Sequence, residues 1–165
     1  MKTLTSIFIL ALAFQAASAQ ERVTIKDPEI EFSFELPKKW VTQNDDFYFY
    51  VFDPDWSNTQ LAITYFNMNT PRELEEIVDT RKKFSYIEIE GYSYIDTKNL
   101  EIDGVTAYSV EYNSKSEDVK LANKEYIFVK EGQVFYLLFT TERRLYDERV
   151  APFESLVKSF RCSYL

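Results

Sequence analysis

Histidine is absent from this chain of 165 residues, cysteine occurs once, and glycine only three times. Without histidine there is no Ser-His-Asp or Cys-His nucleophile system, no imidazole acid–base catalyst and none of the common zinc sites. One cysteine, Cys162, leaves no thiolate zinc cluster, no Cys-x-x-Cys pair and no internal disulfide. Three scattered glycines cannot build a phosphate-binding loop or a dinucleotide fingerprint. There is no Asn-x-Ser/Thr sequon, and no apolar run reaches the roughly 20 residues that a membrane-crossing helix needs. Positive charge is also short: 19 Lys and Arg face 27 Asp and Glu, a formal net charge of −8. Nucleic acid and anionic membrane surfaces are therefore poor candidates as partners, and no nucleic-acid partner is expected.

Apolar and aromatic residues are plentiful. Hydrophobic residues make up 45% and aromatics 17% of the chain, far too apolar for a disordered segment. Residues 1–19 read as a secretory signal peptide: Lys2, then an apolar run at 7–14, then Ala17-Ser18-Ala19 before Gln20. Residues 20–165 then form one exported domain, periplasmic or extracellular, without a transmembrane segment. A lone thiol sent to such a compartment is either buried behind the last helix or bridged to a second molecule, and Cys162 is expected to be buried.

Along that domain, Ile30, Phe32, Phe34 and Leu36 alternate with polar residues in the period-2 pattern of a half-wet strand. Trp40-Val41 starts the return, and residues 47–52 and 61–66 read as further strands. Thr70, Pro71 and Glu73 have the spacing of a capping box. They predict a helix with Leu74, Ile77, Val78 and Phe84 as its apolar stripe and Arg81, Lys82 and Lys83 on its solvated face. Residues 86–89 follow, then a strand over 92–102, a hairpin at Asp103-Gly104 and a return over 105–112. Residues 113–121 read as a mobile polar loop. Strands at 125–129 and 134–140 flank a second hairpin at Lys130-Glu131-Gly132-Gln133. Phe153, Leu156, Val157 and Phe160 mark a C-terminal helix that Pro152 should kink or split. The layout is α+β, with helices covering both faces of an antiparallel sheet.

Paired acids remain as candidate chemistry. Asp45 and Asp46, Asp53 and Asp55, and Glu88 and Glu90 could serve a carboxylate-dependent hydrolase, and the four aspartates a calcium ion, though solvated turns account for them as well. A Ser-Lys dyad at Lys158 and Ser159 is disfavoured, because helix neighbours point about 100° apart. Tyr48, Tyr50, Tyr108 and Tyr112 fall on strands and form the candidate binding surface. Sheet packing with hydroxyls at the rim explains the same tyrosines. No catalytic, cofactor or metal residue is predicted.

Four stretches resemble the PsbP-like superfamily, including its bacterial DcrB-like branch. They are Phe32-Ser33-Phe34-Glu35-Leu36-Pro37-Lys38-Lys39-Trp40, Ile102-Asp103-Gly104-Val105-Thr106-Ala107-Tyr108, Val134-Phe135-Tyr136-Leu137-Leu138-Phe139-Thr140 and Phe153-Glu154-Ser155-Leu156-Val157-Lys158-Ser159-Phe160. The resemblance implies an α/β/α sandwich with a central antiparallel sheet and a C-terminal helix. It also implies a mostly non-catalytic role, since that fold serves a photosystem accessory subunit, a Ran-binding import factor and secretion chaperones. The expected function is an exported binding or accessory module without a cofactor, its partner another envelope or secreted protein. The alternatives are a carboxylate hydrolase and a small-ligand carrier with an apolar pocket between sheet and helix.

Overall fold

A computed structural model describes residues 21–26 and 30–164; the expected signal peptide lies outside the described residues. Seven strands form one antiparallel sheet. They are β3 (Val41–Asn44), β4 (Phe49–Phe52), β5 (Gln60–Asn67), β6 (Ser93–Ile102), β7 (Val105–Ser116), β8 (Val119–Lys130) and β9 (Gln133–Glu142), in the order β3-β4-β5-β9-β8-β7-β6. β1 (Glu21–Lys26), β2 (Ile30–Leu36) and β10 (Arg161–Tyr164) form a second antiparallel sheet with β2 in the middle. The helices are α1 (Leu74–Thr80) and α2 (Tyr146–Ser159).

Alternation along β8 and β9 sends side chains to two separate cores. Tyr126, Phe128, Phe135, Leu137 and Phe139 meet α2 and the small sheet, where Phe32 stacks on Phe160 at 5.6 Å between centroids. Ile127 and Val134 point the other way and meet Ile77 and Val78 of α1. The fold is α+β, as expected, with helices on both faces of the central sheet. The side carrying α2 holds the three-stranded sheet as well.

Several expectations are corrected. The chain leaving β2 does not return on it: β3 joins the large sheet, and β2 pairs instead with β1 and β10. Residues 113–121 are not a loop. β7 and β8 continue in register to Ser116 opposite Val119, closed by a two-residue turn. Polar residues hide that pairing, because this end of the hairpin carries few apolar side chains.

The capping box is not formed. Glu73, with extended backbone, precedes α1, and no side chain caps it. Pro71 fits an extended chain as readily as a first helical turn, and Arg72 beside it reaches forward to Glu76 of α1 (3.1 Å). After α1 the backbone widens into a π turn, Arg81–Ser85, then a 3₁₀ turn, Tyr86–Glu88. Widening rotates the stripe: Phe84 is 65% exposed, and Tyr86 takes the inward position at 1%. Pro152 does not split α2, which runs unbroken across it. The carbonyl that loses its partner belongs to Glu148, which is exposed to water.

Candidate functional site

The four candidate tyrosines do not form one surface. Tyr48 and Tyr50 are neighbours on one face of the β4 segment, their rings 5.9 Å apart. Tyr108, four strands away, donates its hydroxyl to Glu75 of α1 at 2.9 Å, which raises its pKa. Tyr112 is buried at 3% exposure, its ring packed at a tilt against those of Tyr86 and Tyr92. A ring sealed there offers nothing to a partner, so Tyr112 leaves the candidate surface.

The charges expected in water are partly buried too. Arg81, read as solvated, grips Glu125 of β8 with Nε and Nη2 at 2.7 and 2.5 Å, while Tyr86 also donates its hydroxyl to that carboxylate. Glu125 is 1% exposed. Burial alone would lower the Arg81 pKa, but the two-pronged contact with Glu125 outweighs it and holds the guanidinium charged. Its planar face lies over Tyr136, 4.3 Å from the ring centre. On the opposite face Lys124 bridges Glu111 and Glu154 at 3.0 and 2.6 Å. Neither cluster was expected. A charged residue inside the apolar stripe of α1 was the signal for the first.

The acid pairs are spent on local structure. Asp45 accepts the backbone N–H groups of Phe47 and Tyr48 (both 2.8 Å), which hold its carboxyl below the usual range. Asp53 accepts from the N–H of Asp55 at 2.9 Å. The two pairs sit at opposite ends of β4, four residues long at about 3.3 Å each, so they do not converge on a calcium ion. Among the described residues no three Asp, Glu or Cys side chains gather in a way that could hold a metal. Glu88 and Glu90 do not share a strand, since Glu88 ends the 3₁₀ turn and Glu90 lies in the turn before β6. Ser159 is bound away from Lys158: it donates to the Leu156 carbonyl and accepts from the Glu35 N–H.

Ile77 and Val78 of α1 pack on β7, β8 and β9 around Val110, Ile127 and Val134, and neither of two concavities on the molecule is lined by α1. The other end of the same face stays open as a concavity of about 700 Å³ between the β7–β8 hairpin tip and the 53–59 loop. Tyr50, Phe52 and Trp56 supply its aromatic lining, and Gln43, Gln60 and Thr140 lie among its polar lining. Glu117 is its one carboxylate, and no Lys or Arg lines it. A smaller hollow of about 320 Å³ is lined in part by Asp45, Asp46, Phe47 and Phe66. Its two acids are chain neighbours on one turn rather than groups facing each other across a cleft.

A seven-stranded antiparallel sheet with α1 on one face and α2 on the other defines the class: the chain has a PsbP-like fold. It superimposes on cyanobacterial PsbP (CyanoP) from Synechocystis sp. PCC 6803 with a TM-score of 0.68, at 14% identity over 90% of this chain and 96% of that one. It is similar as well to LpqN, described as involved in cell envelope biogenesis of Mycobacterium tuberculosis (TM-score 0.59, 10% identity, 87% of this chain and 91% of that). A third likeness is to PA94, a Pseudomonas aeruginosa protein of unknown function (0.57, 12% identity, 82% and 83%). Neither a protein-family model nor a curated protein sequence matches the chain. At these identities the likeness is one of fold.

Proposed function

We propose that this chain is an exported, non-catalytic accessory module that works by binding another protein of the cell envelope. The observation that carries the reading is the use made of ionisable side chains. Glu125, Lys124 and Asp103 are tied up in internal ion pairs, and the concavity at the open end of the sheet is lined by a single carboxylate. A glycosidase of the common kind needs two carboxyls about 5 to 10 Å apart across a cleft, so the carboxylate hydrolase has no support. The LpqN likeness adds a fold neighbour with a described envelope role. The leader expected at residues 1–19 directs the chain to that compartment. No helix among the described residues is long and apolar enough to cross a membrane.

Apolar side chains at one end of the large sheet suit a partner. Phe84 and Ile87 stand 65% and 64% exposed on the turns after α1, and Tyr94 and Ile95 stand out on the edge strand β6. Lys82 lies over the Tyr94 ring, which places the turn and the strand side by side. The test is fractionation of the source cells followed by N-terminal sequencing. A chain recovered outside the cytoplasm and beginning at Gln20 is expected. An unprocessed chain confined to the cytosol would overturn the reading.

A further inference from the structure

We propose that the open end of the large sheet is a binding site for an uncharged, hydroxyl-rich ligand: a short stretch of glycan. The inference rests on reading the chain as a binding module, and it names a ligand class for one of its faces. At about 700 Å³ the concavity falls within the range of ligand sites.

Its lining selects against most other ligands. A phosphate or carboxylate would meet no Lys or Arg in the lining, in a protein of net charge −8, and the neighbouring Arg149 is engaged by the Trp56 ring, the Ser57 carbonyl and the Thr59 hydroxyl. A polycation would find one carboxylate, Glu117. A hydrocarbon would leave the exposed amides of Gln43 and Gln60 stripped of water without partners. A pyranose ring fits what is left. It has an apolar C–H face to lay on an aromatic ring, and a rim of hydroxyls that both donate and accept, as side-chain amides do.

The polar groups fall into a fixed set and a free set. The Thr140 hydroxyl donates to Asn123, whose amide in turn reaches Ser114 (2.9 and 2.8 Å), and Thr59 meets Thr141 at 2.8 Å. These bonds make a rigid frame. Gln43 and Gln60, by contrast, hydrogen-bond no other described residue through their side chains. Gln43 stands directly opposite Tyr50 across the β3–β4 pair, so an amide and an aromatic ring face the same space. Trp56 reaches the concavity from the loop after β4 with Trp40 packed at 5.7 Å and Arg149 over its ring at 5.0 Å. A braced aromatic loses little freedom when a ligand stacks on it.

Trp40 and Trp56 are the only tryptophans, which supplies the readout. The purified protein is titrated with chitotetraose, cellotetraose and maltotetraose while tryptophan fluorescence and indole NMR shifts are followed. Saturable binding of at least one tetrasaccharide is expected. Gln43→Ala and Gln60→Ala should each weaken it about fivefold with the melting temperature unchanged, because both side chains are exposed. Phe84→Ala, on the far edge, should leave it unaltered. The proposal is overturned if none of the three sugars binds, or if the glutamine variants bind as tightly as the parent. A proline-rich peptide that binds there while the sugars do not also overturns it. A protein partner captured from the envelope alongside failed sugar titrations would sink the glycan site and leave the accessory reading standing.

Discussion

Glu125 sits 1% exposed under α1, and its charge is met by Arg81 and the Tyr86 hydroxyl. Removing one member of such a pair strands a buried charge, at a cost of about 3–5 kcal/mol. Arg81→Met should therefore destabilise the protein by that amount in urea unfolding. The double change Arg81→Met with Glu125→Leu should recover most of the loss. A single variant within about 1 kcal/mol of the parent would show that water already reaches Glu125. Cys162 makes the opposite case of a quiet residue. It is buried on β10, and desolvation pushes its thiol up to about 12. Iodoacetamide at pH 8 should label it only after denaturant is added, and non-reducing electrophoresis should show monomer; rapid labelling of the native protein would contradict its burial. Of these two, the burial of Cys162 was readable from its place beside an apolar helix. The Arg81–Glu125 contact was signalled only at one end: Arg81 falls within the apolar stripe, but nothing in the sequence points to a partner 44 positions away.

Turns and strands differ in how openly they declare themselves. Asp103 and Gly104 both take positive φ, 49° and 77°, in the hairpin that the dipeptide predicts. The Asp103 carboxylate binds Lys130 and accepts from the Cys162 N–H at 2.8 Å, so this turn also fastens β10. A Cβ on Gly104 would meet nothing within 4 Å, whereas one on Gly91 (φ +66°) would stand 2.9 Å from the Lys115 Cβ. Gly104→Ala should thus cost only the backbone strain, about 1–2 kcal/mol, and Gly91→Ala more. Thermal melts giving the reverse order would refute this account of the two turns. The strands with alternating or continuous apolar residues, β2, β5 and β9, were legible because burial writes the period into the sequence. The polar end of the β7–β8 hairpin and the short strand β10 were not, since main-chain pairing with a neighbour defines them. α1 was legible as a helix, but its start was misplaced because Thr70-Pro71 also suits an extended chain.

Several phenols among the described residues are buried where they cannot ionise cheaply. Burial raises the pKa of Tyr86, Tyr112, Tyr126 and Tyr146, and that of the Cys162 thiol. Lys124 is raised as well: burial opposes its charge, but the two glutamates prevail. All of these groups hold their protons more tightly when folded. Their contribution is therefore complete below the ordinary values, 9.0 for Cys and 10.0 for Tyr, and is lost as pH climbs above them. The urea midpoint should hold steady from pH 7 to about 9 and fall steadily toward pH 11. A constant midpoint through pH 11 would mean that the tyrosines titrate without unfolding.

The architecture as a whole was legible, because hairpins exclude parallel winding and two-sided apolar strands demand cover on both faces. The concavity was not. Its residues come from β3, β4, β5, β7, β8, β9 and a loop, with no shared sequence signal. The central claim is that this chain acts by binding, and in-cell photo-cross-linking tests it most directly. A photoreactive residue is placed in turn at Gln60 in the concavity, at Phe84 on the opposite edge, and at Lys38 as a control. We expect a discrete, reproducible adduct from position 60 or 84 and none from 38. Identical diffuse labelling from all three positions would contradict the account.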